Sequence, residues 1–460
     1  MQGIATVLSP ITGLKWSDDP DDLQRYGIDW THLWSPAPCA VVWPVTVEQV
    51  RAVVRAATTN NLALVPSGGR TGLSGGAVAA NGELIVSLEK MNRVLDFNAA
   101  ERTLKVEAGT VLQVIQEAAA EQGLQYPIDL AARGSCTIGG NIATNAGGIR
   151  VLRYGNTREW VVGLTVVTAQ GELLELNRGL IKNSSGYDLR HLMIGSEGTL
   201  GIVVGAELQL TEPLPASQVM LLALPDFKSV LTAFVQLRAT LRLQAYEFLT
   251  DVALARVVQH GAPEPFDERH PYYVVAEFDD NEDAALQVFE QGVEGGWIAD
   301  GALSTSDDHQ RKFWHLRESI TESIAPLKPY KNDISLRIGQ LPAFLAEAQA
   351  LFAERYPDFE VIWFGHIGDG NLHISIIRPA DWSEQAFAAH CAAATKELAA
   401  CIQRHGGSIS AEHGIGLLKR DYLDSTRSVA EIAAMRAIKT ALDPQGLLNP
   451  GKVFAPDRHQ

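Results

Sequence analysis

Two glycine clusters constrain this chain of 460 residues more than any other feature. Six glycines lie in the 17 residues from Pro66 to Gly82, and six more lie in the 22 residues from Gly134 to Gly155. The first cluster follows the short apolar stretch Ala63-Leu64-Val65, which predicts a strand. A glycine-rich loop after a strand can turn successive backbone N–H groups toward an anion. We therefore expect a phosphate or pyrophosphate to bind here, with plain turns at a sheet edge as the alternative.

The first cluster does not match the two best-known nucleotide-binding patterns. Its Gly69-x-x-Gly72-x-x-Gly75 spacing lacks the G-x-G opening of the Rossmann fingerprint. The P-loop-like spacing from Gly446 to Lys452 is followed by Val453 rather than by Ser or Thr, so it is not a P-loop. The second cluster consists almost entirely of small residues, which allow a flat, rigid ligand to lie against the backbone.

The order of apolar segments predicts an α+β chain. A helix at Val47 to Leu62 precedes the first glycine cluster, and strands such as Val161 to Val167 follow it. The two prolines of Thr211 to Pro215 mark a boundary. Beyond it, strands alternate with helices as in a sheet covered by helices, and Ala-rich helices such as Val429 to Leu442 follow. We predict three domains, at residues 1–214, 215–380 and 381–460.

Composition excludes several classes of partner. The chain has 38 Lys and Arg against 54 Asp and Glu, a net charge of −16, so nucleic acid and anionic lipid would be repelled. Its four cysteines include no C-x-x-C pair, which favours a reducing compartment. No apolar run approaches the roughly 18 to 20 residues of a membrane span, and the first residues do not have the pattern of a signal peptide. We therefore expect a cytoplasmic protein without a transmembrane segment.

Two histidines flank a hairpin signal. His366 and His373 lie on either side of Asp369-Gly370, a preferred pair for a type I′ turn. Such a turn pairs the two histidines across the strands with Cβ atoms about 4.5–5.5 Å apart, a workable spacing for one divalent metal ion. Glu412 and His413 offer further ligands, and two His with one Glu leave an open position, as in catalytic zinc sites. The alternative is that the histidines are hydrogen-bonded members of a packed sheet.

An arginine lies at the edge of an apolar helical stripe. The stripe is formed by Phe313, Leu316, Ile320 and Ile324. Arg317 borders it, and Thr321 lies one turn further on. A guanidinium in this position favours an anion, and the alternative is a salt bridge to a carboxylate such as Glu318 or Glu322.

The two glycine clusters, together with Gly195-Ser196-Glu197-Gly198-Thr199-Leu200-Gly201-Ile202, resemble the FAD-binding domain of the vanillyl-alcohol oxidase and p-cresol methylhydroxylase superfamily. The resemblance spans roughly Pro36 to Leu214. It implies an FAD-binding domain of the p-cresol methylhydroxylase type, then an α/β substrate domain with an antiparallel sheet, and a C-terminal helical segment that returns to the flavin. It implies FAD contacts for Pro66, Ser67, Gly68, Gly69, Arg70, Thr71, Gly72, Ser74, Pro127, Gly134, Ser135, Thr137, Gly139, Gly140, Asn141, Ala143, Thr144, Gly148, Glu197, Ile202 and Asn449.

Within this set, Ser67 to Ser74 would surround the pyrophosphate, Glu197 and Ile202 would lie at the adenine side, and Asn449 would contact the flavin edge. Some members of the superfamily attach FAD covalently through a histidine in the first glycine loop. This loop carries Arg70 and no histidine, so we predict non-covalent FAD.

The segments Gly-His-x-Gly-Asp-Gly-Asn-x-His and Ala-Glu-His-Gly resemble the motifs of the metal-dependent branch of this superfamily, the D-2-hydroxyacid dehydrogenases. This resemblance implies zinc, with manganese as the alternative, on His366, His373 and Glu412. It makes His413 the catalytic base and a substrate contact.

The segments Trp314-x-x-Arg317-x-x-x-Thr321 and Lys331-Asn332-Asp333-Ile334-Ser335 resemble the substrate-carboxylate site of members that act on D-2-hydroxyglutarate. Arg317, Thr321 and Lys331 are therefore expected to bind substrate. Ser375 is a further candidate, but it stands where these members usually carry Asn, which leaves the exact substrate open.

The resemblance implies hydride transfer from a D-2-hydroxyacid to FAD, with D-2-hydroxyglutarate as the first choice and D-malate or D-lactate as alternatives. A D-lactate dehydrogenase or a glycolate oxidase subunit is the alternative within the family. A zinc hydrolase with the same ligands and a non-catalytic flavoprotein are alternatives from other classes. Because no NAD pattern is present, we expect an electron-transfer flavoprotein, a quinone or a cytochrome as electron acceptor. The family resemblance also suggests a homodimer.

Overall fold

The structure is a computed structural model that describes residues 3–455, and these residues form two units. The first unit comprises 3–148, 154–213 and 412–455, and the second comprises 149–153 and 214–411. The chain passes from the first unit to the second between residues 213 and 214, next to the boundary that was predicted after residue 214. Of the third predicted domain, residues 381–411 lie in the second unit and residues 412–455 lie in the first. The division into three domains stays a prediction. No helix within 3–455 is long and apolar enough to cross a membrane.

The elements up to residue 213 are α1 (Ile4–Leu8), β1 (Lys15–Ser17), α2 (Pro20–Tyr26), β2 (Ala40–Trp43), α3 (Val47–Thr59), β3 (Leu64–Ser67), β4 (Leu84–Ser87), β5 (Val94–Asn98), β6 (Thr103–Glu107), α4 (Leu112–Glu121), α5 (Ile138–Thr144), α6 (Val151–Tyr154), α7 (Thr157–Trp160), β7 (Val161–Val167), β8 (Leu173–Leu176), α8 (Leu189–Met193) and β9 (Ile202–Gln209).

A four-stranded sheet in the order β1-β2-β4-β3 positions the first glycine cluster. Strands β2, β4 and β3 run parallel, and the glycine loop leaves the carboxyl end of β3. Helix α3 buries Val50, Val53, Val54 and Ala57 in the same core as these strands. The hydroxyl of Thr46 caps this helix by accepting the N–H of Gln49. A second, antiparallel sheet in the order β5-β6-β9-β7-β8 completes the strands of this unit.

The second unit contains β10 (Ser217–Leu224), α9 (Phe227–Thr240), β11 (Leu243–Thr250), α10 (Asp251–Gln259), β12 (Tyr272–Asp279), α11 (Glu282–Glu294), β13 (Asp300–Leu303), α12 (Asp307–Glu318), α13 (Ile320–Ile324), β14 (Tyr330–Ser335), α14 (Leu341–Arg355), β15 (Glu360–Gly365), β16 (Asn371–Ile377) and α15 (Glu384–Arg404). The last helix, α16 (Val429–Leu442), belongs to the first unit. Short 3₁₀ turns lie at Ala325–Leu327, Ile338–Gln340, Ile367–Asp369 and Arg420–Ser425.

One seven-stranded sheet in the order β13-β10-β12-β11-β15-β16-β14 dominates the second unit. Its described strand pairs are antiparallel, as predicted. The apolar stripe of α12 and α13 packs into a core with residues of β10, β11, β12 and β15, and all four predicted stripe residues are buried. This packing holds the arginine-bearing helix against one face of the sheet.

The hairpin of β15 and β16 carries the two predicted histidine ligands in a register that differs from the prediction. A two-residue turn would pair His366 with His373, whereas the structure pairs Phe364 with His373. The connection is longer because a 3₁₀ turn at Ile367–Asp369 is inserted, with Gly370 after it at φ 87°. A Cβ on this glycine would meet a backbone carbonyl oxygen at 2.1 Å. The predicted pairing is wrong by two residues, which is one strand period, so the predicted face of His373 is unchanged.

Candidate active site

The two glycine clusters lie against each other in the first unit. A Cβ on Gly68 would come within 2.4 Å of Thr137 Oγ1, and a Cβ on Gly69 would come within 2.2 Å of the Ser135 carbonyl oxygen. Glycine is required at both positions because the second loop occupies the space that a side chain would need. The structure thus brings together the loops on which the pyrophosphate and flavin predictions depend.

Four residues of this region contain buried polar atoms that lack a hydrogen-bond partner within the described part of the chain. These atoms are Ser67 Oγ, Thr137 Oγ1, Asn141 Nδ2 and Asn449 Oδ1. The four residues are only 2% to 4% exposed. A buried polar group without a partner costs about 1–3 kcal/mol. FAD carries hydroxyls, phosphates and ring donors and acceptors that would satisfy such groups, so the residues present fit this cofactor.

Two of the predicted FAD residues, Gly139 and Gly148, pack closely against neighbouring backbone. Gly139 donates its N–H to the Ala108 carbonyl at 2.8 Å, and a Cβ on it would meet Ala108 at 2.9 Å. A Cβ on Gly148 would meet the Asp129 carbonyl oxygen at 1.9 Å. Both glycines are therefore explained by close backbone packing. The other predicted FAD residues of this segment are Pro127, Gly134 and Ser135, which precede α5, and Gly140, Ala143 and Thr144, which lie within it.

Arg70 folds back on its own loop. Its backbone has φ 57°, its Nη1 donates to the Gly68 carbonyl at 3.1 Å, and its guanidinium lies 4.4 Å from the centre of the Tyr26 ring. Burial lowers the pKa of Arg70. The remaining predicted residues of this part of the chain are Pro66 in β3 and Thr71, Gly72 and Ser74 in the loop.

The C-terminal segment lies against β3 and the first glycine loop, and its contact with the flavin edge stays a prediction. Leu448 forms a parallel bridge with Leu64 at the start of β3. The next residue, Asn449, donates from Nδ2 to the carbonyls of Gly76 at 2.9 Å and Glu197 at 2.7 Å. Asn449 therefore ties the loop after β3 to the segment that precedes β9.

Glu197 and Ile202 have structural roles within the first unit. The Glu197 carboxylate accepts the N–H of Ile415 at 2.7 Å and of Gly416 at 2.8 Å, and burial raises its pKa. Ile202 is 1% exposed in the hydrophobic core. Their contact with adenine stays a prediction.

The segment that follows His413 is fixed on the first glycine loop. Gly416 has φ 51°, and a Cβ there would meet the Ser74 carbonyl oxygen at 2.1 Å. The same carbonyl accepts the N–H groups of Leu417 and Leu418 at 2.9 and 3.0 Å. The predicted base thus directly precedes a backbone turn that belongs to the FAD-binding region.

In the second unit, three of the predicted residues, Lys331, Ser375 and His373, share one face of the sheet. Lys331 pairs with Ser375, and Asp333 pairs with His373, across β14 and β16. Phe364 of β15 pairs with His373 on the other side. Since directly opposed residues share a face and alternate residues of a strand do so too, these five side chains point the same way.

The two predicted histidine ligands are neighbours despite the altered register. The ring centres of His366 and His373 are 5.3 Å apart. Nδ1 of His366 lies 2.8 Å from Glu247 Oε1, and Nδ1 of His373 lies 3.7 Å from Asp333 Oδ1. Metal-binding histidines usually place a carboxylate on the ring nitrogen that does not bind metal. Two adjacent imidazoles, one of them hydrogen-bonded to a buried carboxylate and the other close to one, fit a zinc site. Glu412 stays a predicted ligand.

Arg317 is buried beside the same face of the sheet. Its Nη2 lies 2.9 Å from Glu247 Oε2, and its guanidinium lies 5.0 Å from the centre of the Phe364 ring. The salt bridge considered as the alternative therefore exists, with a carboxylate from β11. Arg317 Nε has no hydrogen-bond partner within residues 3–455, although the residue is only 7% exposed. A donor in this position suits an anionic ligand.

The other predicted substrate residues differ in their surroundings. Ser375 is 2% exposed, and burial lowers the pKa of Lys331 opposite it. Thr321 is exposed, and α12 ends at Glu318 while α13 begins at Ile320. The predicted shared face of Arg317 and Thr321 is thus interrupted by a break between two helices.

Sequence reasoning missed Glu247 and the role of Asp333. Both carboxylates are buried, with Glu247 1% and Asp333 0% exposed. Asp333 accepts from Asn371 Nδ2 at 2.8 Å and from the Ala411 N–H at 3.2 Å. A signal for Glu247 was present, because it is the one charged residue in the strand sequence Leu-Gln-Ala-Tyr-Glu-Phe-Leu-Thr. A lone charge in an otherwise buried strand calls for a partner.

Two family models match the chain. The family model of the FAD binding domain matches residues 38–177, and that of the FAD linked oxidases, C-terminal domain, matches residues 214–453. A 4-ethylphenol oxidase from Gulosibacter chungangensis has a TM-score of 0.75 at 18% identity, covering 100% of this chain and 98% of its own. A p-cresol methylhydroxylase has a TM-score of 0.73 at 16% identity, covering 99% and 96%. The predicted fold is confirmed.

Three curated relatives align with most of the chain. A D-2-hydroxyglutarate dehydrogenase of Xanthomonas citri pv. viticola is 61% identical over 98% of this chain and 96% of its own length. The mitochondrial D-2-hydroxyglutarate dehydrogenase of Bos taurus is 37% identical over 95% and 80%. A putative mitochondrial D-lactate dehydrogenase of Schizosaccharomyces pombe is 32% identical over 96% and 87%. The chain therefore belongs to the FAD-linked oxidase family and is a FAD-dependent oxidoreductase.

Proposed function

We propose that this protein oxidises a D-2-hydroxyacid, with D-2-hydroxyglutarate as the preferred substrate and 2-oxoglutarate as the product. The observation that carries the proposal is the buried Arg317, which presents an unpartnered donor beside two adjacent histidines in a FAD-linked oxidase. The curated relatives named D-2-hydroxyglutarate dehydrogenase support the choice of substrate.

The first unit would hold FAD without a covalent bond. Ser67, Thr137, Asn141 and Asn449 would satisfy their buried polar atoms on the cofactor, and the glycine loops would leave room for its phosphates. Arg70 stands where a covalent attachment would need a histidine, which supports non-covalent binding. When bound, FAD would supply the electron sink for the hydride that leaves C2 of the substrate.

His366 and His373 would hold a divalent metal, zinc or manganese, together with Glu412. The buried carboxylate of Glu247, which is hydrogen-bonded to His366, and that of Asp333, which lies near His373, support this assignment. Glu412 follows Ala411 in the chain, and the Ala411 N–H donates to Asp333, the carboxylate beside His373. The metal would supply Lewis-acid polarisation of the substrate hydroxyl.

His413 would take the hydroxyl proton. Histidine is the side chain that most often acts as a general base, because its neutral imidazole accepts a proton readily. Arg317, Lys331, Thr321 and Ser375 would hold the substrate carboxylates and orient C2. Burial lowers the pKa of Lys331, which is consistent with a site that removes water from a charged ligand.

We further propose that the enzyme works in the cytoplasm, as a homodimer, and passes its electrons to an electron-transfer flavoprotein, a quinone or a cytochrome. The absence of a Rossmann glycine pattern in the sequence supports an acceptor other than NAD.

A substrate panel tests the proposal. We expect kcat/KM, measured with an artificial acceptor, to be highest for D-2-hydroxyglutarate, lower for D-malate and lowest for D-lactate, because Arg317 and Lys331 offer contacts for two carboxylates. L-2-hydroxyglutarate is the control and should not react. A preference for D-lactate would favour the second candidate, a D-lactate dehydrogenase, which the Schizosaccharomyces pombe relative suggests.

A further inference from the structure

Glu247 is a buried carboxylate that lies beside residues of both the proposed metal site and the proposed substrate site. It lies in the middle of β11, is 1% exposed, and pairs with Val275 of β12. Two residues further on, Leu249 pairs with Phe364, so Glu247 points to the sheet face that carries His373. A buried charge is costly unless it is paired, so its partners should explain why it is there.

The carboxylate of Glu247 contacts two side chains with different proposed roles. Oε1 accepts from His366 Nδ1 at 2.8 Å, and Oε2 lies 2.9 Å from Arg317 Nη2. The first partner belongs to the proposed metal site, and the second belongs to the proposed substrate site. One side chain therefore holds a metal ligand with one oxygen and a substrate ligand with the other.

We propose that Glu247 is the positioning residue that orients His366 for metal binding and Arg317 for substrate binding. One carboxylate would thus fix the orientation of both side chains. The proposal rests on the proposed function. When Nδ1 of His366 donates to Glu247, the lone pair that a metal needs is on Nε2. The guanidinium of Arg317 is held at Nη2 by Glu247 and on its face by the Phe364 ring. These two contacts fix the plane of the guanidinium, and with it the direction in which the Nε–H group points.

Glu247→Gln separates this role from simple filling of space. Glutamine has nearly the same shape, but its side chain has one acceptor oxygen and one donor nitrogen. It can accept from His366 or face Arg317 with its oxygen, but it cannot do both. We expect the affinity for Zn²⁺, measured on the flavin-loaded protein by competition with a fluorescent chelator, to fall about 10- to 100-fold. The KM for D-2-hydroxyglutarate should rise as well, while the flavin content should stay unchanged.

Glu277→Gln is the matched control. Glu277 is 5% exposed, lies on the same face of the neighbouring strand, and contacts Arg150 at 3.2 Å and Ser217 at 3.0 Å. It loses a buried charge just as Glu247→Gln does, so the two variants should have similar losses in thermal stability. The Zn²⁺ affinity of Glu277→Gln should remain that of the unaltered protein.

Glu247→Asp provides a second variant that keeps the charge and both acceptor oxygens but withdraws them by one methylene. A positioning role predicts that Zn²⁺ affinity falls in this variant too, and it keeps the idea testable if Glu247→Gln does not fold. Unaltered Zn²⁺ affinity in either folded variant, or an equal fall in Glu277→Gln, would overturn the proposal. Failure of the proposed function is distinct, since the unaltered protein would then not reduce its flavin with any D-2-hydroxyacid.

Discussion

The FAD-binding region of the first unit and the sheet face of the second unit are built in opposite ways. The first is made of backbone and small side chains, and there is no room for a Cβ at Gly68 or Gly69. Several buried hydroxyl and amide atoms in it have no hydrogen-bond partner within residues 3–455. The second is made of charged side chains, where His366 and Arg317 share the carboxylate of Glu247. A binding region rich in glycine can be recognised from the local sequence. A region that consists of paired, buried polar and charged side chains cannot, because its contacts join strands that are far apart in sequence.

The comparison predicts that a substitution in the second region can abolish metal binding and lower activity while FAD binding in the first region is retained. His373→Ala should remove bound metal and lower kcat/KM by roughly 10³-fold, because metal polarisation contributes several kcal/mol. Flavin absorbance should be unchanged. Metal analysis, the visible spectrum and steady-state rates check this. The exposed His390→Ala in α15 is the control and should match the unaltered protein. Full activity without bound metal would remove the metal from the account.

Arginine geometry provides a finer test of the same region. Arg317→Lys keeps a positive charge near Glu247 but loses the planar fork. We expect kcat/KM for D-2-hydroxyglutarate to fall roughly 10- to 100-fold, since a hydrogen bond between charged groups contributes about 1.5–3 kcal/mol. Arg311→Lys on the same helix, whose side chain is 70% exposed, serves as the control. Equal kinetics for the two variants would show that Arg317 does not bind substrate.

The first region should be separable in the other direction. Gly69→Ala would drive a Cβ to 2.2 Å from the Ser135 carbonyl oxygen, and overpacking of this kind costs about 1–3 kcal/mol. We expect FAD to bind roughly tenfold or more weakly, measured by fluorescence titration of apoprotein, while Zn²⁺ binding persists. Gly76→Ala in the same loop is the control, because its Cβ would have its nearest neighbour at 3.7 Å. Loss of zinc together with FAD in Gly69→Ala would mean that the regions are not independent.

A buried lysine in the first region offers a stability test. Lys452 is 3% exposed, donates to the Val78 carbonyl, and has its pKa lowered by burial from 10.5 to about 8. Between these values the unfolded chain binds more protons than the folded protein, so the free energy of unfolding should rise with pH, by up to about 3 kcal/mol. Urea unfolding at several pH values should show this rise, and Lys452→Met should lack it. Identical pH slopes would contradict the lowered pKa.

Sequence predicted the elements whose information is local. The strand Val161–Val167 and the helix Val429–Leu442 were predicted with their observed bounds, because apolar periodicity is a property of neighbouring residues. The register of His366 was wrong because a 3₁₀ turn replaced the two-residue turn. The Leu336 carbonyl that packs against Gly370 comes from another strand region, so this contact is not visible in the local sequence. Glu247 was missed because its partners lie in another strand and another helix.

An anaerobic titration tests the central claim most directly. The purified protein should show the flavin absorption band at about 450 nm. One equivalent of D-2-hydroxyglutarate should bleach that band. The L-enantiomer should leave the band unchanged, and prior removal of metal by a chelator should slow the bleaching. A flavin band that no D-2-hydroxyacid bleaches would contradict the account.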